Sequence, residues 1–380
     1  MKIIADTNIP FVEDCFSAIG DVTLVSGREI TAELVKDADI LLVRSITKVN
    51  EELLGGSSVK FAATATIGMD HIDREYLDRS GIGFSSAPGS NANSVAEYVV
   101  AALLALGKKY KFLLEGKSIG IVGVGNVGSK VAVKAAALGM KVVLNDPPLK
   151  RQTGDDKYRP LEEVLECDFV TMHTPLTVDG EDKTYHLADE KFFASMKTGS
   201  FFFNSSRGGV HDTDALKAVL ESKGIAGAVL DVWENEPGID NELLLKVDLS
   251  TPHIAGYSYD GKVAGMIMIY EAACRYFGLE IAHSIDDFLP APEIAEIAVD
   301  PSAGDEQTII HDTVQSIYVI NRDDFNTREI LIVEPEGRAK WFDDLRKNYP
   351  VRREFQNTHV VIGDKGSELA RKLGGIGFKI

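Results

Sequence analysis

Cysteine is scarce in this chain. Only Cys15, Cys167 and Cys274 occur, far apart and with no CxxC pair. That excludes a disulfide scaffold and a thiolate metal cluster, and reduced thiols in a cytoplasmic protein are expected. The eight histidines fall at no metal-ligand spacing, so no metal is expected. Basic charge is short as well: 40 Lys and Arg face 58 Asp and Glu, a formal net charge of −18. So acidic a chain is a poor partner for nucleic acid or an anionic membrane. It also repels anionic substrates at long range, so one that binds here needs a local cationic pocket. No apolar run reaches the ~20 residues that span a bilayer. The most apolar stretch, Val99 to Leu106, reads as a buried helix. The start, Met1-Lys2-Ile3-Ile4-Ala5-Asp6, lacks the basic-then-apolar build of a signal peptide.

What is present is an ordinary globular composition, 44% hydrophobic and 26% charged over 380 residues, enough for two or three domains. Apolar runs at 2–5, 22–25, 40–43, 61–64 and 82–84 alternate with amphipathic links at 30–36 and 50–54. That alternation predicts a parallel α/β domain. Two of its strand ends are polar, at Arg44-Ser45 and at Thr66-Ile67-Gly68, and ligands lie beyond such ends. A loop at 88–93 precedes a helix that Ser94 starts, with Glu97 as its capping-box partner. A second α/β series follows: strands at 118–122, 141–144, 169–172, 200–204, 225–230 and 249–250, with a helix at 127–138. Leu289-Pro290-Ala291-Pro292 reads as a linker to a smaller block. That block is expected to hold strands near 329–333 and 358–362 and helices near 339–348 and 367–373. Arg346-Lys347 and Arg352-Arg353 read as a solvated face, with one of them reaching a partner subunit's active site as the lesser alternative. His71, Trp233 and Trp341 read as structural.

Between the first strand and helix of the second series stands Gly123-Val124-Gly125-Asn126-Val127-Gly128. Gly123 and Gly125 permit a tight turn and close approach of backbone N–H groups to a pyrophosphate. Gly128 lets helix and strand pack closely, and the helix N-terminus at Asn126 and Val127 supplies positive potential. The next strand ends at Asp146, placed to accept from ribose hydroxyls and to repel a 2′-phosphate, so NAD is expected rather than NADP. Thr174 and Asp231 each follow a strand and are placed to reach the same cofactor.

Three further strand ends carry a cation, a carboxylate and an imidazole. Oxidising a 2-hydroxy acid takes a base for the hydroxyl proton and a cation for the carboxylate. His253 suits the first task, with Glu236 as its anionic neighbour. Arg207 suits the second through bidentate binding of a planar anion. Each has a plainer alternative: a loop histidine, a helix-end acid, a surface arginine at a turn.

These residues stand in Asn204-Ser205-Ser206-Arg207-Gly208-Gly209, in Leu230-Asp231-Val232-Trp233-Glu234-Asn235-Glu236-Pro237, and in Thr251-Pro252-His253-Ile254-Ala255-Gly256. With the glycine turn and Asp146, these segments resemble the D-isomer-specific 2-hydroxyacid dehydrogenases over roughly residues 1–285. The resemblance implies an α/β fold in three parts. A flavodoxin-like substrate domain takes residues 1–92 and 257–285, a Rossmann-type NAD-binding domain takes 93–256, and a small C-terminal α/β dimerisation domain takes 286–380. It implies Arg207 and Glu236 as catalytic and His253 as proton donor or acceptor. Ser205, Ser206, Arg207 and Gly256 are implied as cofactor contacts. A narrower likeness, at 43–50, 65–73 and 255–258, is to members that act on a phosphorylated four-carbon acid. It implies Ser45, Thr66 and Tyr257 at the substrate and a homodimer through the last block. Ser90 stands where relatives often have cysteine, outside these motifs. Arg44 is the candidate for the substrate phosphate, with pairing to a neighbouring acid as the equal alternative. Two other readings stay open: a 3-phosphoglycerate dehydrogenase, and an NAD-responsive scaffold without catalysis.

Overall fold

Short apolar runs become strands where polar turns bracket them, and the longest-buried runs become the middle of a sheet. Lys2–Asp6 (β1), Asp21–Val25 (β2), Ile40–Val43 (β3), Phe61–Thr64 (β4) and Gly83–Ser85 (β5) form a parallel sheet of order β2-β1-β3-β4-β5. This is the flavodoxin-like order. β3 and β4 are buried at every residue, as parallel strands covered on both faces must be. The computed structural model describes residues 1–380 and divides into two units; this sheet belongs to the one built from Met1–Asn91 and Ser258–Ala291. Its long helix, Tyr259–Phe277, starts at Ser258, whose Oγ accepts from Gly261 N at 2.8 Å, and ends at Gly278 with φ 68°. Tyr270 of that helix meets Phe16 edge-on at 5.4 Å in the core.

The other unit joins Ala92–Tyr257 to Pro292–Ile380. Ser118–Val122 (β6), Lys141–Asn145 (β7), Phe169–Met172 (β8), Phe201–Asn204 (β9), Gly227–Leu230 (β10) and Leu249–Ser250 (β11) form a parallel sheet of order β11-β10-β9-β8-β6-β7. The order reverses at β6, where the chain goes first to β7 on one side and then to β8 on the other. Such a switch point opens a crevice beyond the strand ends.

The helix expected to start at Ser94 starts two residues earlier and runs Ala92–Tyr110. Its supposed capping pair is buried instead. Ser94 Oγ donates to Glu354 Oε1 at 2.9 Å, and Glu97 Oε1 accepts from Phe355 N at 3.0 Å. Tertiary partners from the last block took the polar atoms that the local pattern assigned to the cap. That block shares a core with this helix: Tyr98, Leu106, Ile310, Val314, Phe355 and Leu373 lie in one cluster.

Within the block, Glu296–Ala298 (β12) pairs in parallel with His359–Val361 (β13), close to the expected strand at 358–362. The strand expected near 329–333 is instead a 3-10 turn, Glu329–Ile332, closing the helix Ile320–Arg328. Arg328 holds that helix end by donating to Leu244 O at 2.7 Å and Val247 O at 2.9 Å. A strand there would have no partner, since β12 and β13 are the block's whole sheet. The expected helices appear as Arg338–Lys347 and Glu368–Ile376. No helix is long and apolar enough to cross a membrane.

Candidate active site

Parallel strands in register put the loops that follow them on one edge. Asn145, Val122, Met172, Asn204, Leu230 and Ser250 are paired in a single row across the second unit's sheet. Just past that row stand Asp146, the glycine turn, Thr174, Ser205 to Arg207, Asp231 and His253. Residues scattered over more than a hundred positions are thereby gathered at one sheet edge.

The glycine turn is shaped by close approach. A Cβ on Gly128 would lie 2.0 Å from Gly123 O, whereas one on Gly125 would meet nothing within 4 Å. Gly125 therefore leaves open space at the start of the helix Asn126–Ala137. Asp146 spans the turn: Oδ2 accepts from Val124 N at 2.8 Å and Oδ1 from Leu149 N at 2.9 Å. Thr174 Oγ1 and Ser205 Oγ, past the neighbouring strands, are buried with no hydrogen-bond partner. An unpaired buried hydroxyl costs about 1–3 kcal/mol, which a polar ligand relieves. Open space at a helix N-terminus, a carboxylate at the next strand end and two orphaned hydroxyls fit a dinucleotide. Ser206 Oγ is already spent on Asn204 Oδ1 at 2.8 Å.

Arg207 stands on a loop that Asn204 organises. Asn204 Nδ2 donates to Arg207 O at 2.9 Å, and Oδ1 accepts from Ser206 N at 3.0 Å. Buried His211 backs Asn204 through Nδ1 at 2.9 Å. A Cβ on Gly208 would fall 1.9 Å from Trp233 O, so the loops after β9 and β10 touch backbone to backbone.

Asp231 ties down the loop after β11. Its Oδ1 accepts from Thr251 Oγ1 at 2.6 Å and Ile254 N at 2.8 Å, its Oδ2 from Ala255 N at 3.0 Å, and its backbone carbonyl from His253 N at 2.7 Å. Burial pushes this carboxyl above its usual range, although the charge of His253 and these hydrogen bonds oppose the shift. The bonds hold His253 at φ 58°, a left-handed conformation that costs a non-glycine residue about 1–3 kcal/mol. Gly256 and Tyr257 complete the turn, with Tyr257 N donating to Ile254 O at 2.8 Å.

His253 Nδ1 lies 2.7 Å from Glu236 Oε2, and Glu236 Oε1 accepts from Trp233 N at 2.8 Å. Burial alone would raise the Glu236 carboxyl. The charge and hydrogen bond of His253, the Trp233 N–H and the charge of Arg346 outweigh it and hold the group below its usual range. An ionised carboxylate only accepts, so Nδ1 carries a proton, and in the neutral ring the lone pair lies on Nε2. Trp233 is buried, its Nε1 donating to Thr251 O at 3.0 Å.

In the first unit, Arg44, Ser45 and Thr66 share the edge past β3 and β4, where Val43 pairs with Thr64. Arg44 Nη1 donates to Asn8 O at 2.8 Å, and Ser45 is exposed. Thr66 Oγ1 lies 2.6 Å from Thr64 Oγ1, which in turn lies 3.1 Å from His71 Nε2.

The solvated face expected at 346–353 is not one. Lys347 is exposed, but Arg352 and Arg353 are buried. Arg352 Nη2 donates to Ala255 O at 2.6 Å, with its guanidinium 4.2 Å over the Tyr318 ring. The Arg346 guanidinium lies 5.9 Å from the Tyr257 ring centroid. The chain's return to the loop that carries His253 leaves no periodic trace. The one available signal was an arginine concentration in an acidic chain.

Residues 101–255 match the family model described as D-isomer specific 2-hydroxyacid dehydrogenase, NAD binding domain, and residues 288–377 match a domain of unknown function, DUF3410. Erythronate-4-phosphate dehydrogenases of Shigella boydii serotype 4 (strain Sb227) and Escherichia coli O9:H4 (strain HS) are each 44% identical over 376 residues, 98% of this chain and 98% of the relative. The chain belongs to the erythronate-4-phosphate dehydrogenase family. Among solved structures, the NAD+-bound 3-phosphoglycerate dehydrogenase of Entamoeba histolytica is 26% identical with a TM-score of 0.63, covering 76% of this chain and 99% of that one. D-Lactate dehydrogenase of Aquifex aeolicus, complexed with NAD and lactic acid, is 25% identical with a TM-score of 0.60, covering 73% of this chain and 95% of that one. The family resemblance carried by the glycine turn and the Arg207, Glu236 and His253 segments therefore holds, and with it the NAD-binding domain.

Proposed function

We propose that the protein oxidises 4-phospho-D-erythronate at C2 to (R)-3-hydroxy-2-oxo-4-phosphooxybutanoate, with NAD as oxidant, in pyridoxal 5′-phosphate synthesis. The observation that carries the proposal is the Glu236–His253 pair, 2.7 Å apart, at the sheet edge shared with Arg207 and the glycine turn. His253 Nε2 takes the hydroxyl proton as the C2 carbonyl forms. Glu236, fixed by the Trp233 N–H, keeps the proton on Nδ1 and stabilises the imidazolium that results. Arg207 binds the carboxylate through two parallel N–H donors and polarises the forming carbonyl. The glycine turn, Asp146, Thr174 and Ser205 would hold NAD, which would supply the hydride acceptor. Asp231 keeps the His253 loop in place and would stand beside that cofactor.

Arg44, Ser45, Thr66 and Tyr257 are proposed as substrate contacts, and the C-terminal block as the seat of a homodimer in the cytoplasm. A kcat/KM panel of 4-phosphoerythronate, 3-phosphoglycerate and D-lactate tests the substrate. The first is expected to lead, and His253→Ala to lose at least ~100-fold while NAD still binds. Preference for 3-phosphoglycerate would overturn the substrate assignment. NAD binding without turnover on any hydroxy acid would favour a scaffold.

A further inference from the structure

We propose that Arg346 is a substrate-binding cation contributed by the C-terminal block, and that it takes the phosphate of the substrate. The inference rests on the function proposed above and deepens it. It also gives a catalytic-site task to a block whose family model carries no function.

Arg346 lies in the last turn of the helix Arg338–Lys347. Phe342, fully buried, docks that helix into the cluster that holds Trp233, Leu243 and Leu244. The chain beyond it stays on the catalytic loop. Tyr349 meets the Tyr257 ring edge-on at 6.0 Å and is itself anchored by its hydroxyl to Asp323 Oδ2 at 2.7 Å. Arg352 then bonds Ala255 O at 2.6 Å. Segment 346–352 is therefore a built wall of the loop that carries His253.

The guanidinium at the head of this wall has the Tyr257 phenol in hydrogen-bond reach, and Glu236 and Asp343 are the acids whose charge acts on it. Both Glu236 oxygens are already engaged, by Trp233 N and by His253 Nδ1. Arg346 Nε is buried and has no hydrogen-bond partner. A guanidinium offers five N–H donors in a fork that matches phosphate oxygens. Arg207 comes from the loop after β9, whereas Arg346 meets the loop after β11, with β10 between them. One cation thus follows a strand of the shared edge, and the other comes from the helix Arg338–Lys347, as a substrate anionic at both ends requires. The chain's net charge of −18 makes such local cations necessary.

The test compares 4-phosphoerythronate with unphosphorylated D-erythronate in Arg346→Met and Arg346→Lys, with NAD affinity and melting temperature as controls. Arg346→Met is expected to raise KM for the phosphorylated acid about 30-fold or more, and to cost kcat/KM on D-erythronate about tenfold less than on the phosphorylated acid. Arg346→Lys, which keeps the charge and loses the fork, should recover part of the loss. Equal losses on both acids would overturn the proposal and make Arg346 a support for Tyr257. So would no loss on either. Should Arg346→Met not fold, Arg346→Lys carries the same comparison with a smaller discrimination. Wild-type turnover, measured first, separates the two claims. Its absence on 4-phosphoerythronate defeats the proposed function, whereas its presence with an undiscriminating variant defeats only the assignment of Arg346.

Discussion

Glu236 Oε2 and His253 Nδ1 stand 2.7 Å apart, although the two residues follow different strands of one sheet. The contact leaves one imidazole nitrogen for chemistry and places a negative charge behind the other. Glu236→Gln keeps the shape and removes the charge. It is expected to lower kcat about 100-fold or more with NAD affinity unchanged. Steady-state kinetics beside NAD titration checks both. A variant with wild-type kcat would remove Glu236 from the mechanism.

Asp231 accepts four hydrogen bonds that hold the His253 loop, three of them at its carboxylate. In Asp231→Asn one oxygen becomes a donor that faces donors. Stability is expected to fall by about 1–3 kcal/mol, with turnover falling further as His253 leaves its left-handed conformation. Urea unfolding beside kcat measures the pair of effects. Lost turnover at full stability would place Asp231 on the ligand and not under the loop.

Two glycines of the same turn should respond in opposite ways. Gly125→Ala adds a methyl into open space, so folding is kept and NAD affinity falls. Gly128→Ala drives a Cβ to 2.0 Å from Gly123 O, so the melting temperature falls first. Calorimetry of unfolding and of NAD titration distinguishes them. A Gly125→Ala protein that binds NAD as well as the wild type would place the pyrophosphate elsewhere.

Much of this architecture is legible in the residues themselves. Ile40–Val43 is apolar throughout and Phe61–Thr64 is apolar up to its last residue because both faces are covered, and the strands that end at Asn204, Leu230 and Ser250 declare themselves the same way. The glycine turn and the three reactive strand ends follow from them. The helices Glu306–Ile317 and Ile320–Arg328 were not foreseen. Of their buried polar members, His311 and Thr327 bond within their own helices, to Asp312 Oδ1 and Asp323 O, whereas Asp323 finds its partner, Tyr349, only in the tertiary fold. Ser94 and Glu97 imitate a cap because a capping box and a buried link to Glu354 and the Phe355 N–H use the same residue types. Arg346 reads as solvated for a related reason: a charged residue near a helix end has a default place in solvent, and only the path of the chain back to Tyr257 revokes it.

Burial lowers His173 to about 3 and His211 to about 4. As pH falls through ~6.5, the unfolded chain takes up protons on both and the folded chain does not. The stability they allow is complete above that value and is lost toward the folded values, at up to about 1.4 kcal/mol per pH unit for each. Glu97, raised by burial and by Glu354, gives the opposite slope, so variants rather than absolute slopes are compared. His211→Gln should flatten the fall in urea midpoint between about pH 6 and 4 by one histidine's share. An unchanged slope would mean that His211 titrates in the folded protein.

Hydride transfer from C2 of the substrate is the claim on which the rest depends, and isotope transfer tests it most directly. 4-Phospho-D-erythronate carrying deuterium at C2 is turned over once with NAD, and the recovered cofactor is examined by mass spectrometry and NMR. Deuterium at C4 of the reduced nicotinamide, formed more slowly than with protium and lost in His253→Ala, is the expected result. Reduced cofactor without deuterium, or no reduction while NAD stays bound, would contradict it.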